Sequence, residues 1–374
     1  MKKRIVIIGG GFAGLAAARR LWRYRNDIHV LLVDRRPTAD FLPVLPDLLG
    51  GRISCRAAAA PLPELARQMN VSYFQDTVQA VDVESYRVIG RQNVYEYDAL
   101  IIAPGSETNF YGMTNVAENA SKLDDCSDAT ALREALERRP ADACIVVGGG
   151  YTGIEIATYI RRRSQKAGRD RRVVIVEKLP QILTMCPEWM RDYTHARLRE
   201  FGIECLTDCT VDQVDGPCVS LSNGDRFEPA QLVWAAGVHA PEFVRNLPFE
   251  KDRQGRLHVD RCMQVADGIF AAGDAARVEY KGQVLRMAVQ FSISGGRCAA
   301  ENAARHLTDR PFRHFKTVDP GFIVPMAKHR SCGMVLGARM RGRLPTFLHY
   351  FMSVYRSQGI GQKLRLLMGL LLHR

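Results

Sequence analysis

One pattern occurs twice in this chain and limits what it can fold into. An apolar run leads into three glycines in G-x-G-x-x-G spacing, a helical stretch follows, and a second apolar run closes on an acid. In the first copy Ile5 to Ile8 is unbroken and apolar, Gly9, Gly11 and Gly14 form the triplet, Leu15 to Leu21 is Ala-rich, and Ile28 to Val33 ends on Asp34, twenty residues after Gly14. In the second copy Cys144 to Val147 leads into Gly148, Gly150 and Gly153. Ile154 to Ile160 continues as helix, and Val173 to Val176 ends on Glu177. Unbroken apolar runs are what parallel strands buried on both faces require.

Each glycine has a separate physical task. The first permits the tight turn, the second lets the backbone approach a pyrophosphate, and the third lets helix and strand pack closely. The helix N-terminus then meets the phosphates with free N–H groups and the positive end of its dipole. The closing acid can accept hydrogen bonds from a ribose. A single G-x-G-x-x-G is a common accident, but a strand before it, a helix after it and an acid at the right distance are not. Two copies with the same flanks predict two dinucleotide sites.

The 374 residues suit two or three domains, with 47% apolar and 25% charged residues, as in globular proteins. The net charge of +12 is concentrated at one end. Pro320 to Arg374 holds nine Lys and Arg and no acid. Such a segment suits an anionic surface, and its apolar character selects phospholipid over nucleic acid. The ten cysteines form no C-x-x-C pair and no zinc pattern, so no metal site is expected. Reduced thiols and a cytosolic setting are the expectation. No apolar run reaches the roughly eighteen residues a transmembrane helix needs.

Between the copies, three prolines and two glycines between Pro37 and Gly51 predict an ordered loop without a long helix. Short strands are expected at Val71–Phe74, Val78–Val83, Tyr86–Ile89 and Tyr95–Ile102. A helix is expected over Asp124–Arg139, stopped by Pro140. Later elements are a helix over Trp189–Phe201, buried strands at Leu232–Gly237 and before Gly273–Asp274, a helical start at Ala275–Ala276, and a helix over Gln290–Leu307. Gly295–Gly296 in that helix would admit a ligand or another helix. Asp274 is either an N-cap or a ligand-binding acid. In the tail, Phe347, Phe351, Val354 and Tyr355 can share one helical face and Leu364, Leu367, Met368 and Leu371 another, with breaks at Gly359 and Gly361. Basic residues among them suit a helical pair lying in a membrane interface. Packing on the protein's own body or on a second copy is the other way to cover those faces.

The whole series is similar to the two-dinucleotide flavoproteins, and within them it most resembles the type II NADH:quinone oxidoreductases. The likeness spans Arg4 to Leu307. It rests on G-G-G-F-A-G-L at Gly9, V-D-R-R at Val33, F-L-P-V-L at Phe41, A-P-G-S-E-T-N at Ala103, G-G-G-Y-T-G-I-E at Gly148, A-A-G-V at Ala235 and F-A-A-G-D at Phe270. The resemblance implies an α/β fold of two Rossmann-like domains, the NADH domain inserted in the FAD domain, with a C-terminal amphipathic helical tail. The implied boundaries are 1–112 and 245–325 for FAD, 113–244 for NADH and 326–374 for the tail.

By the same resemblance, Gly9, Gly11, Phe12, Ala13, Gly14, Asp34 and Arg35 would hold the ADP half of FAD, with Val78 near the adenine. Ala103, Pro104, Gly105, Gly273 and Asp274 would close over the cofactor, and Pro43 would flank its ring. Gly148, Gly150, Tyr151, Thr152, Gly153, Ala236 and Gly237 would take NADH. Glu177 would accept from the adenine ribose and repel a 2′-phosphate. Glu155 and Gln290 would be catalytic. The family has Ala-Gln and a second Gln four residues on; this chain has Val289-Gln290 and Ser294.

The expected activity is electron transfer from NADH through FAD to a membrane quinone, by a peripheral enzyme on the cytoplasmic face of the cell membrane, with a homodimer left open as an assembly. The rivals are a sulfide:quinone oxidoreductase using Cys126 and Cys332, an NAD(P)H reductase of a small redox protein, and a nucleotide sensor.

Overall fold

Both glycine triplets lie at the C-terminal end of a central strand in a parallel sheet. A computed structural model describes residues 2–138 and 142–372. The chain divides into two compact units: 1–39, 60–107 and 238–319 form the first, and 40–59, 108–237 and 320–374 the second.

In the first unit, Lys3–Ile8 is flanked by Ile28–Asp34 on one side and Ala99–Ile102 on the other, all parallel. Ser72–Gln75 extends the sheet beyond Ile28–Asp34, and Ile269–Ala271 extends it beyond Ala99–Ile102. The strand order reverses direction at Lys3–Ile8, so its C-terminal end is the crevice where open α/β sheets bind ligands. The helix Phe12–Leu21 packs against Val289–His306. Gly296 makes that approach possible: a Cβ there would stand 2.1 Å from the Ala13 carbonyl oxygen. Of the two partners the glycine pair allows, Gly296 meets a helix. Asp76 closes the turn after Ser72–Gln75 and begins a meander of Val78–Asp82, Arg87–Gly90 and Val94–Glu96.

The second unit repeats the plan with four parallel strands, in the order Ile203–Leu206, Arg172–Val176, Ala143–Val147, Ala230–Trp234. Cys144, Ile145 and Val146 are fully buried, and burying an aliphatic side chain of this kind contributes about 1.5–3 kcal/mol. The helix Tyr151–Lys166 follows the glycine turn, and Glu188–Phe201 ends at Gly202 in the left-handed region.

Several elements depart from expectation. Leu42–Val44 is a 3-10 turn and Leu45–Leu49 a short α-helix, so the 37–51 segment is partly helical. Pro46 sits at the start of that helix, where a missing N–H costs nothing. Gly273–Ala275 is a single 3-10 turn, and Ala276–Arg277 is extended instead of opening a helix. The helix expected over Asp124–Arg139 runs Cys126–Arg138, and its expected stop at Pro140 lies outside the described residues. The C-terminal region begins as an antiparallel sheet of Gly321–Val324, Ser331–Val335 and Ala338–Gly342 before becoming helical over Arg343–Arg356 and Gly359–Leu372. The break falls at Ser357–Gln358, and Gly361 lies inside a helix. A Cβ at Gly361 would meet only the Arg365 guanidinium at 3.7 Å, so nothing there forces a break.

Candidate functional site

The two glycine turns are copies in geometry as well as sequence. Gly9 and Gly148 have φ of +101° and +111°, which only glycine adopts without strain. A Cβ on Gly9 would meet the Ala103 carbonyl oxygen at 2.2 Å, and one on Gly148 the Ala235 oxygen at 2.6 Å. The third glycines are as confined: a Cβ on Gly14 would lie 1.8 Å from the Gly9 oxygen, and one on Gly153 1.9 Å from the Gly148 oxygen. Gly11 and Gly150 are the opposite case, with nothing within 4 Å of a Cβ. Those open positions at the starts of the Phe12–Leu21 and Tyr151–Lys166 helices fit a pyrophosphate brought against the backbone.

The closing acids do more than expected. Asp34 Oδ2 accepts from the Gly10 N–H at 2.6 Å and Oδ1 from the Arg36 N–H at 2.8 Å. Glu177 Oε2 accepts from the Gly149 N–H at 2.6 Å and Oε1 from the Leu179 N–H at 2.9 Å. Each carboxylate ties its glycine turn to the end of the neighbouring strand. Its remaining lone pairs are what a ribose hydroxyl would use. Arg35 pairs with Glu107 at 3.0 Å.

Around the first turn, Ala103 continues the strand Ala99–Ile102, its N–H bonded to the Ile8 oxygen, and leads through Pro104 to Gly105 at φ +82°. Asp274 is not an N-cap: its carboxylate accepts from the Ser106 hydroxyl at 3.3 Å and the Ser292 hydroxyl at 3.5 Å. Burial raises its pKa, and the two hydroxyls oppose that. A Cβ on Gly273 (φ +72°) would meet the Ala13 methyl at 3.0 Å. Val78 begins the first strand of the meander. Gln290 Nε2 is 3.5 Å from Asp319, whose carboxylate also takes both terminal nitrogens of Arg286. Ser294 turns back to donate to the Gln290 carbonyl and accepts from Thr317.

Around the second turn, Tyr151 packs edge-on against Phe322 and Thr152 is exposed. Ala236 precedes Gly237, at φ +110°, where a Cβ would meet the Tyr111 hydroxyl at 2.3 Å. Glu155 is buried on the same helix, and burial, with the Asp47 charge adding to it, holds its pKa well above the usual carboxylate range. A polar cluster beside it has no motif to announce it. Asp47 Oδ1 accepts from the hydroxyls of Tyr159 at 2.7 Å and Tyr350 at 2.8 Å. The Arg52 guanidinium stands 3.8 Å from Asp47, donates to the Tyr350 hydroxyl and covers its ring. Pro43 lies in the 3-10 turn just before. The one local signal was an acid in the otherwise apolar L-P-D-L-L.

The thiols are quiet. Cys55 Sγ donates to the Cys126 carbonyl, and burial, then the charges of Asp40 and Cys55, push the Cys126 thiol up. Burial pushes Cys332 up to about 11. Redox-active cysteines need the reverse shift.

Comparison with known proteins agrees with this geometry. Over 376 residues the chain is 29% identical to a demethylphylloquinone reductase of Synechocystis sp., covering 95% of this chain and 92% of that protein. It is 24% identical to a type II NADH:quinone oxidoreductase of Staphylococcus aureus over 397 residues, covering 96% and 97%. The NDH2 structure from Plasmodium falciparum solved with NADH superposes with a TM-score of 0.87 at 17% identity, covering 99% of this chain and 98% of that one, a likeness of fold. The profile of the pyridine nucleotide-disulphide oxidoreductases matches residues 3–296, which takes in both glycine turns and the Gly273–Asp274 turn, and the chain belongs to that family.

Proposed function

We infer that this protein is an FAD-dependent NADH:quinone oxidoreductase of type II, carrying electrons from NADH through its flavin to a quinone. The observation that carries this is the pair of matched glycine turns, each tied by its own acid, in a chain that parallels quinone-reducing relatives over nearly its whole length. FAD, held at the first glycine turn by Gly9, Gly11 and Gly14, would supply the two-electron relay between NADH and quinone. The protein binds, orients and holds protons.

We assign FAD to Gly9, Gly11, Phe12, Ala13, Gly14, Asp34, Arg35, Val78, Ala103 to Gly105, Gly273 and Asp274, with Pro43 and Gln290 toward the flavin ring. NADH goes to Gly148, Gly150 to Gly153, Glu177, Ala236 and Gly237. The Glu177 carboxylate, held in place by two backbone N–H groups, repels a 2′-phosphate and favours NADH over NADPH. Burial, with the Asp47 charge adding to it, favours the protonated form of Glu155. The functional division we propose is 1–112 with 245–325 for FAD, 113–244 for NADH and 326–374 for the membrane. Sulfide chemistry is disfavoured because Cys126 and Cys332 are held as thiols.

We also propose that the tail lies on the anionic cytoplasmic face of the membrane. No helix among the described residues is long and apolar enough to cross it. Phe347, Phe351 and Tyr355 are exposed on one helix and Leu364, Leu367, Met368 and Leu371 on the next, with Lys363 and Arg365 beside them. Apolar area and charge together suit a lipid interface; a homodimer through the same faces is the competing cover.

Anaerobic stopped-flow tests the reaction. Rapid flavin bleaching by NADH, slower bleaching by NADPH and reoxidation by a short-chain quinone are expected. Bleaching only by sulfide would overturn the assignment, and reduction by NADH without quinone reoxidation would move the acceptor to a protein.

A further inference from the structure

Three residues distant in sequence bring ligand atoms together inside the second unit. Asp47 comes from the Leu45–Leu49 helix, Glu155 from Tyr151–Lys166 and His349 from Arg343–Arg356. One ligand atom of each lies within 4.8 Å of the other two. Asp47 is 0% and Glu155 7% exposed. Asp47 Oδ2, Glu155 Oε1 and His349 Nε2 are shielded from water and have no hydrogen-bond partner. Buried polar atoms are ordinarily paired, so three residues with one left over apiece, side by side, point to a common partner.

The surroundings orient two of these atoms as a metal site would. His349 is hydrogen-bonded to the Pro43 carbonyl. Since Nε2 has no partner, the bond is made by Nδ1–H, which leaves the Nε2 lone pair available to an ion. A ring N–H given to a backbone carbonyl is the usual support of a metal-bound histidine. Asp47 is fixed through Oδ1 by Tyr159 and Tyr350, with Arg52 on that same oxygen, so Oδ2 is left over. Once an ion displaces the carboxyl protons, two carboxylates and a neutral imidazole offer two negative charges and three N/O donors. That set suits a zinc-class divalent ion: imidazole disfavours magnesium, and the lack of a thiolate disfavours copper(I).

We propose that Asp47, Glu155 and His349 form a buried site for one divalent transition-metal ion, with a further coordination position left to water. The site shares Glu155 with the proposed oxidoreductase machinery, so its test reads metal binding and not turnover. The flavin-loaded full-length protein would be stripped with chelator, titrated with zinc by calorimetry, desalted and assayed for metal content. One zinc per chain is expected, with affinity reduced about a hundredfold in His349→Gln and in Asp47→Asn. Should either variant fold poorly, cobalt(II) added to the wild-type protein reports the same site through ligand-field bands of a four- or five-coordinate N/O ion. Zinc uptake unchanged in both folded variants would assign the metal to thiols elsewhere and overturn the proposal. So would the absence of retained zinc, or cobalt bands of thiolate character.

Discussion

The three glycines of a turn look interchangeable in sequence and are not so in space. A Cβ at Gly14 would fall 1.8 Å from the Gly9 oxygen, and a Cβ at Gly11 would meet nothing. Gly14→Ala forces helix and strand apart, a core overpacking that costs about 1–3 kcal/mol or more, and the expected result is a lower melting temperature or insoluble protein. Gly11→Ala should fold with an unchanged melting temperature but purify with little flavin, read as the ratio of flavin to protein absorbance. Equal stability of the two variants would contradict the packing argument. This distinction was legible from spacing alone, because each glycine's task is local. The full role of Asp34 and Glu177 was not. Their position suggested a ribose acceptor, but their bonds to the Gly10 and Gly149 N–H groups depend on how two strands meet, which no local pattern states.

Elements follow the same rule. The strand–turn–helix units were legible because apolar runs, glycines and an acid all agree within one short stretch, Ile5 to Asp34 and Cys144 to Glu177. The 42–49 segment was read only as a loop, since prolines argue against long helices and not against one turn. Asp76, which drew no attention in sequence, organises a whole meander. Its carboxylate gathers the Thr77, Gln92 and Asn93 N–H groups and the Tyr95 hydroxyl. Burial pushes its pKa up, but Tyr95 and the backbone donors outweigh burial, and the net shift is downward. A depressed folded-state pKa contributes stability that is present above the unfolded value of about 3.9 and lost as pH falls through the folded one. Asp76→Asn should therefore destabilise by about 2 kcal/mol at pH 7. The gap in melting temperature from wild type should close as pH drops below about 4. A gap that stays constant from pH 7 to pH 3 would rule out the charge as its source.

At the scale of the molecule, duplication was the most legible property and the C-terminal region the least. Its outward residues read correctly as an apolar and basic surface. Its inward ones did not: Tyr350 reaches Asp47, Leu366 is fully buried, and Gln362 Nε2 donates to the Ala58 carbonyl, all partners far away in sequence. Membrane attachment is thus best tested on the outward face. Leu364→Asn with Leu371→Asn should lower partition onto vesicles with anionic headgroups by tenfold or more, since each leucine contributes about 1.5–3 kcal/mol when buried. Raised salt should weaken wild-type binding further. Flotation of the vesicles with bound protein measures both. Unchanged flotation of the double variant would remove the tail from the interface, and a concentration-dependent doubling of mass that the same substitutions abolish would assign the face to a second copy. The inward anchoring also bears on what happens when the gene is damaged near its end. A stop codon ahead of Tyr350 would strip partners from Asp47, Tyr159 and Arg52 in the interior as well as exposed apolar side chains from the outside. The shortened product would be a target for proteases, and not a freely diffusing version of the enzyme.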